Sequence, residues 1–399
     1  MGKKSNNLLK GKIAYTMLII IVYLFCRNIP LYNIDMNIYL GAMEDGSNLL
    51  LQTLGGDINQ CTIFALGISP YMIASIFIQI VMSFRSQEYK KRTSPVKINK
   101  IIMQITLLVS VFIACVKVNN IQFATNGKSL ILTQIVAIVE MIAGAMLIIY
   151  LSARNKKYGI GGQSAIIFVN IIDGIISTLV VNRDKNLLLP IVISVIVLII
   201  MVIMEYTEMR IAVQRISIHN IYGDKNYMAI KLNPIGVMPA MFATAFFMIP
   251  QFIIKVLAYI FYDNSFIVNI NNNMDLTRPL GVGVYICILY ILTVFFSRIM
   301  LNPTEITDQY LKSGDSLQDI HAGADTKRYL SKVITALGMI SATVMSICLG
   351  VPLLLQMKGA IDGGLVMLPS SVMMFTGIAC SLCTEMIAVK NLEAYEMFI

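Results

Sequence analysis

The stretch of sequence that decides the fold is FALGISPYMIAS (Phe64–Ser75). It lies inside an apolar run that is long enough to cross a membrane, yet it contains Gly67 and, three residues later, Pro70. Glycine weakens a helix and proline removes a backbone donor, so this pair interrupts the helix where lipid cannot satisfy the freed backbone groups. The interruption therefore predicts that protein or a water-filled cavity covers this segment.

Composition places the chain among polytopic membrane proteins. Of its 399 residues 57% are apolar and 13% are charged, and the mean hydropathy is +0.75. Since roughly 20 apolar residues cross a bilayer, the hydropathy pattern predicts ten spans. The first begins at Ile13 and is interpreted as a retained helix, because no small-residue cleavage site follows it. The predicted spans are 13–34, 61–84, 100–119, 129–152, 164–182, 187–206, 235–261, 282–301, 330–356 and 365–388.

The orientation follows from the distribution of Lys and Arg. Most of the 31 basic residues lie in alternate segments that include the N-terminus, and few lie in the segments between them. Because basic residues stay on the cytoplasmic side, this bias places both termini in the cytoplasm, and we expect a bacterial plasma membrane. The net charge of +9 is then mostly a topology signal. Nucleic-acid binding is not expected, since no aromatic-interleaved basic patch or Gly-rich phosphate loop accompanies it.

The interruption in the second span has a counterpart in the seventh. In NPIGVMPAMFATA (Asn233–Ala245), Gly236, Pro239 and Met241 repeat the spacing of Gly67, Pro70 and Met72. Matched interruptions in two halves of a membrane protein are typical of an inverted repeat with its functional site at the repeat interface, although a single proline kink is common. The expected fold is therefore all-α, with ten transmembrane helices in two five-helix halves, residues 1–184 and 185–399.

Two kinds of loop depart from simple connections. NLLLQTLGG (Asn48–Gly56) is apolar but too short to span, and is interpreted as a re-entrant or plug-like element or, alternatively, as an amphipathic surface turn. The inner segments near 205–234 and 302–330 are longer than a connection requires. They are candidate docking surfaces for a cytosolic partner, and solvated loops without a partner are the alternative.

Residues that could support catalysis are scarce. The chain has two histidines, His219 and His321, and neither a nucleophile elbow nor a catalytic carboxylate pair, so an enzyme is not expected. The seven cysteines lie mostly in apolar segments and predict neither disulfides nor a metal site, and no cofactor is expected.

Among the charged residues of the predicted spans, five are candidate intramembrane groups. Arg27, Lys255 and Arg298 lie towards span ends, where interface anchoring is the favoured interpretation. Glu140 and Asp173 are interpreted either as helix-pairing groups or as parts of a proton relay.

Four extended motifs resemble the SecY family, the channel subunit of the protein translocase. They match its second-span, fourth-loop, seventh-span and eighth-span motifs, in order over nearly the whole chain: IFALGISPYMIASIFIQ (63–79), YGIGGQSAIIF (158–168), KLNPIGVMPAMFATAFFMIP (231–250) and NPTEITDQYLKSG (302–314). The resemblance implies two pseudo-symmetric halves around an hourglass pore, with a lateral gate between the second and seventh spans and a plug on the outer side.

The resemblance also assigns residues to these parts. The implied pore ring is apolar, with Met where the family usually has Ile at three positions; it consists of Ile68, Met72, Ile167, Ile171, Met241 and Met374. The implied lateral gate and helix breaks comprise Gly67, Pro70, Ser75, Gly236, Pro239 and Ala243. The implied plug, near 48–57, includes Asn48, Leu50, Leu51, Leu54, Gly55 and Gly56.

Partners follow from the same resemblance. DIHAG carries His321 where the family has an arginine associated with the ATPase motor SecA. With the compact chain and the Met-rich ring, this is similar to the accessory SecY of Gram-positive bacteria, which works with a specialised SecA and exports serine-rich glycoprotein adhesins. The implied partners are that ATPase, small SecE-like and SecG-like subunits, the preprotein and membrane lipids. The implied motor-binding residues are Arg210, Arg215, Lys312, His321, Lys327 and Arg328.

Two other function classes fit parts of the pattern. A secondary transporter for a small solute or lipid also uses inverted repeats and broken helices, but it needs a polar site at the break. Ile68, Met72, Ile167 and Met241 are apolar, which argues against such a site. A structural scaffold would need no matched interruptions.

Overall fold

The computed structural model describes residues 8–34, 61–85, 94–118, 121, 123, 128–215, 226–261 and 265–396. Its elements, numbered in chain order, are α1 (Leu8–Arg27), α2 (Ser69–Phe84), α3 (Pro95–Val118), α4 (Lys128–Tyr158), α5 (Gln163–Val181), α6 (Leu188–Tyr206), β1 (Glu208–Arg215), β2 (Tyr227–Lys231), α7 (Met238–Ile260), α8 (Ser265–Asn273), α9 (Pro279–Met300), α10 (Pro303–Ser313), β3 (Asp315–Leu317), α11 (Ala324–Met357) and α12 (Leu368–Glu396).

Eight helices in this described part are long and apolar enough to cross a membrane: α1, α3, α4, α5, α6, α9, α11 and α12. The chain is therefore a multi-pass membrane protein, as composition predicts. The other two predicted spans coincide with α2, which has only 16 residues, and with α7, which contains Pro250. These are the two segments with the matched interruptions, and the count of ten spans stays a prediction.

Both matched interruptions adopt the same local conformation. Gly67 and Gly236 have φ values of 56° and 69°, in the left-handed region that glycine enters without steric cost. The residues that follow these glycines, Ile68 and Val237, have negative φ, and each helix starts at the residue after them. Pro70 and Pro239 therefore occupy the second helical position. There the missing N–H is one of the unsatisfied helix-start donors anyway. Each proline therefore begins a helix rather than kinking one, which corrects the expectation of a break inside the span.

The described residues divide into two compact units, 1–184 together with 378–399, and 185–377. In the first unit the turn before α2 packs into an apolar cluster with α3 and α4, formed by Leu31, Ala65, Leu66, Ala114, Val118, Ala137, Met141 and Ala145. A Cβ on Gly144 of α4 would collide with the carbonyl of Ile63, so glycine lets this turn lie directly on the helix. Lys117 of α3 is buried, and its Nζ donates to the Ala65 carbonyl oxygen at 2.8 Å. A carbonyl in the irregular turn thus gains a charged donor.

In the second unit the central contact is between the antiparallel helices α9 and α11. A Cβ on Gly338 would lie 2.6 Å from Ser297 Oγ, and one on Gly350 would lie 2.9 Å from Ile286 Cδ1. These two glycines of α11 therefore let the helices approach closely, as small residues do in membrane helix pairs.

A three-stranded antiparallel sheet in the second unit was not predicted from the sequence. Its order is β2-β1-β3, and β1 aligns Ile211 with Met228 and Val213 with Leu317. Side chains of a strand alternate between its faces, so these residues share one face, on which Ile211 and Leu317 are buried. The two long inner segments are therefore joined by backbone pairing.

The left-handed turn before α7 generates a stability prediction. Gly236→Ala should lower the free energy of unfolding by about 1–2 kcal/mol, because an L-residue is strained at this φ. The added Cβ itself would meet only Glu205 Oε1, at 3.4 Å, so the backbone term dominates. Thermal unfolding in detergent measures the effect. Gly11→Ala in α1, where a Cβ meets nothing within 4 Å, is the matched control and should leave the protein equally or more stable; equal behaviour of the two variants would contradict the assignment.

Candidate functional site

The first unit contains four of the implied pore residues, on two helices. Ile68 immediately precedes α2 and Met72 lies one turn later, where its N–H donates to the Ile68 carbonyl at 3.1 Å. Ile167 and Ile171 are likewise one turn apart on α5. All four are buried, with 4% exposure or less. Residues four apart share one face of a helix, so each helix presents one apolar pair.

The second unit contains the other two, Met241 in the first turn of α7 and Met374 in α12, both buried. The two helix segments come together in this unit because Gly377 packs against Val237, the residue that precedes α7. A Cβ at Gly377 would overlap the Val237 side chain. Met374 lies three residues before Gly377 and therefore on the same side of α12.

The residues assigned to the gate are placed within their own units. Ser75 in α2 is half-buried, and its Oγ donates to the Met72 carbonyl at 3.3 Å. Ala243 in α7 is fully buried. The plug residues near 48–57 lie outside the described residues.

Arg27, at the end of α1, forms an ion pair that the sequence did not predict, and its role as an interface anchor stays a prediction. Its guanidinium, only 13% exposed, lies 2.6 Å from Asp173 on α5. Arg27 Nη1 and the Tyr23 hydroxyl both donate to Asn170 Oδ1, at 3.4 and 2.8 Å. Asp173 therefore serves as a helix-pairing group between α1 and α5, one of the two roles left open for it.

The other charged residues of the spans have different surroundings. Glu140 on α4 accepts a hydrogen bond from the backbone N–H of Tyr32 at 3.0 Å, so it ties the segment after α1 to α4. Arg298 is exposed, and its Nε donates to Thr335 Oγ1 on α11 at 2.9 Å. Lys255 is exposed.

A buried polar cluster that sequence reasoning missed holds the turn before α7. Asn233 is 1% exposed; its amide donates to Glu205 Oε1 at 3.2 Å, and its Oδ1 accepts from Ser341 Oγ at 2.9 Å. Lys231 Nζ lies 3.6 Å from the other oxygen of Glu205. Asn233 thus links α6 and α11 to the start of α7. The only sequence signal was an Asn-Pro pair before the glycine.

A second missed network holds the YGIGGQS loop between α4 and α5. The Asn155 amide donates to the carbonyls of Ile160 and Gly162, each at 2.9 Å, and Thr16 Oγ1 accepts from the Ile160 N–H at 2.8 Å. The Gly161 N–H donates to Glu385 of α12 at 3.0 Å. Gly161 and Gly162 have positive φ. The glycines therefore let the loop wrap around one buried asparagine.

The segments near 205–234 and 302–330 form one structure, here called the sheet module: β1, β2, α10, β3 and the first turns of α11. Its apolar core is formed by Ile211, Ile230, Leu317, Leu330, Ile334 and Leu337. The two candidate docking segments therefore form one folded structure, because burial of these residues and the pairing of β1 with β3 hold them together. Docking itself stays a prediction.

The implied motor-binding residues lie on this sheet module. Arg210, Lys312, His321, Lys327 and Arg328 are exposed, and Arg215 aligns with Asp315 at the end of β1. The Arg210 guanidinium lies 4.7 Å from the ring centre of Tyr227 on β2 and 3.9 Å from Glu208. The stacked ring fixes this cation on the outward face of the sheet.

With the geometry in place, comparison with known proteins assigns the family. The SecY family model matches residues 62–383, well over half of the chain. The chain belongs to the SecY family. This family consists of non-enzymatic, protein-conducting channel subunits.

The similar curated proteins are named accessory Sec system protein translocase subunit SecY2. The protein from Leuconostoc gelidum subsp. gasicomitatum is 28% identical and covers 88% of each chain. The protein from Streptococcus agalactiae is 27% identical over 98% of this chain and 96% of its own, and that from Streptococcus pneumoniae serotype 4 is 27% identical over the whole of both.

Solved structures share the fold. A protein-conducting channel matches with a TM-score of 0.67 at 16% identity, over 96% of this chain and 93% of its own. Sec61 from a canine ribosome–channel complex matches with a TM-score of 0.62 over the same fractions, also at 16% identity.

The core of the sheet module generates a second prediction. Leu317→Ala should destabilise the module by about 2–5 kcal/mol, because Leu317 is 1% exposed and its removal leaves a cavity. Limited proteolysis of the reconstituted protein should then cut faster within 208–215, 227–231 and 303–330, while the membrane helices stay protected. Gln214→Ala, on the exposed face of the same sheet, should leave the cleavage rate unchanged; the same rate in both variants would contradict a shared core.

Proposed function

We propose that the chain is the channel subunit of an accessory Sec translocase that exports serine-rich glycoprotein adhesins, driven by a SecA-type ATPase. The observation that carries the proposal is the similarity, at 23–28% identity over most of the chain, to proteins named as the accessory SecY2 subunit. SecY membership also argues against the secondary-transporter alternative. We place the chain in a bacterial plasma membrane with both termini cytoplasmic, which its basic-residue bias supports.

The six apolar pore residues would form a ring that seals the channel. Burial of all six supports this role, as does the presence of three flexible Met side chains, which adapt to an irregular passing chain. Such a constriction can exclude ions by dewetting and still yield to a polypeptide.

The gate would open where α2 and α7 begin. Each helix starts after a left-handed glycine, so a change at that one residue can reorient the helix without breaking its internal hydrogen bonds. Ser75 and Ala243 are the proposed gate positions, and residues near 48–57 are the proposed plug. Small SecE-like and SecG-like subunits would complete the complex.

The motor would dock on the sheet module, which the proposed topology places in the cytosol. The support is its exposed cations, Arg210, Lys312, Lys327 and Arg328, together with His321, on one folded platform. An acidic partner surface would be steered towards them.

Motor docking gives the experiment that tests the proposed function. Vesicles that contain the protein with its small subunits should bind the accessory SecA-type ATPase and stimulate its ATP hydrolysis when an adhesin preprotein is present. Arg210→Glu should weaken motor binding on the order of ten-fold at low salt, with a smaller difference at high salt because the interaction is electrostatic.

The control for this experiment is Lys185→Glu, the same change of charge at an exposed residue between α5 and α6. It lies on the predicted outer side and should not change the affinity. Loss of affinity in both variants, or in neither, would contradict docking on the module. A wild-type protein that stimulates no SecA-type ATPase would contradict the proposed function.

The pore ring gives a further prediction. Met72→Asn combined with Met241→Asn should raise the resting ion conductance in planar bilayers, since an amide wets a constriction that the thioethers keep dry. Met103→Asn places the same change on a half-exposed position of α3 and should leave conductance at the wild-type level. If the double variant is folded and does not leak, these residues do not line the constriction.

A further inference from the structure

An open groove of ≈ 530 Å³ lies between α9 and α11 in the second unit, apart from every residue assigned above to pore, gate or module. Carbon atoms form nearly all of its exposed surface. Three of its large apolar side chains, Ile291, Ile347 and Leu354, are at least 50% exposed. The groove therefore presents an apolar concavity on a membrane-spanning helix pair.

Small residues create the groove. Gly283 and Cys287 are four residues apart on α9, and Ser346 and Gly350 are four apart on α11, so each pair lies on one helix face. A Cβ on Gly283 would meet nothing within 4 Å, which shows that this glycine borders open space. The helices nonetheless touch at the groove's floor, where Gly350 meets Ile286.

The groove's length fits an acyl chain. It extends from Gly283 to Ile291 on α9 and from Thr343 to Leu354 on α11. At 1.5 Å per residue this is about 12–17 Å, or roughly half of the ~30 Å hydrocarbon core. A partner's transmembrane helix would need contacts along the whole depth, whereas an acyl chain occupies one leaflet.

Two cations lie at the same level at the mouth of the groove. The two helices are antiparallel and touch where Ile286 meets Gly350. Arg278, at the start of α9, lies eight residues before Ile286, and Lys358, at the end of α11, lies eight residues after Gly350. Both side chains are exposed. Within the described residues neither side chain forms a salt bridge with Asp275, Asp362 or another carboxylate.

We propose that this groove binds one acyl chain of an anionic glycerophospholipid, with the phosphate held at the level of Arg278 and Lys358. The apolar wall supplies the site for the chain, and the two cations supply the preference for negative charge. With the topology proposed above, the lipid belongs to the outer leaflet; the groove and its charge do not depend on that assignment.

The absence of tryptophan from the sequence makes the test direct. Tyr290→Trp introduces a single fluorophore on the groove wall. The full-length protein is reconstituted in phosphatidylcholine vesicles that contain either phosphatidylglycerol or phosphatidylcholine with brominated acyl chains, and quenching is compared at equal mole fraction. The apparent affinity of the groove for phosphatidylglycerol should exceed its affinity for phosphatidylcholine by roughly five-fold for each of the two cations. Phe112→Trp, at a 71% exposed position of α3, should be quenched equally by both lipids.

Two sets of variants separate the headgroup from the acyl chain. Arg278→Gln combined with Lys358→Gln, in the Tyr290→Trp background, should reduce the preference to about one while phosphatidylcholine still quenches. Gly283→Leu should reduce quenching by both lipids, because the side chain fills the groove. Gly11→Leu is the matched control, since a Cβ there also meets nothing within 4 Å, and should have no effect.

Several results would overturn the proposal. Equal quenching of Trp at position 290 by the two lipids would show ordinary boundary lipid, and a preference that survives loss of both cations would remove the headgroup assignment. Absence of quenching by either lipid would show that no acyl chain enters the groove. Because lipid contact is measured without export, these results are independent of the SecA-binding experiment, and failure of one proposal leaves the other standing.

Discussion

A backbone amide or carbonyl inside a bilayer has no water to bind, and the helix starts in this protein depend on how that constraint is met. The turns before α2 and α7 are irregular, so each needs partners for its polar groups. In the first unit buried Lys117 donates to the Ala65 carbonyl, and Gly144 lets the turn lie directly on α4. In the second unit Asn233 links its turn to Glu205 and Ser341. The same local geometry is thus stabilised by unrelated residues in the two units.

This difference explains what the sequence could and could not predict. Gly67 and Gly236 were recognisable because a left-handed turn requires glycine, whatever surrounds it. Lys117 and Asn233 were not, because their roles depend on contacts with residues distant in sequence. The same limit applies to Arg27: its position near a span end is compatible with interface anchoring, and only the fold brings Asp173 within 2.6 Å.

The sheet module shows a similar limit for secondary structure. Hydropathy finds the membrane spans because each is a long apolar run, but the segment 208–215 has only a short alternating pattern that also fits a loop. Its strand is fixed by pairing with β2 and with β3, the latter about one hundred residues away along the chain. The candidate motor-binding residues could therefore be named from resemblance, whereas their presentation on one surface could not be inferred from the chain alone.

The arrangement separates a rigid platform from a region that can change conformation. Buried apolar side chains and backbone pairing hold the module together, so a partner that binds Arg210 or Lys327 meets a preformed surface and loses little free energy to ordering it. By contrast, α7 joins the module through a short segment that ends at Gly236, a residue with access to several backbone conformations. Asn233 holds that segment through hydrogen bonds, which can be exchanged without opening a cavity in an apolar core. A change at this polar hinge can therefore alter how α7 meets the module without opening the module's apolar core.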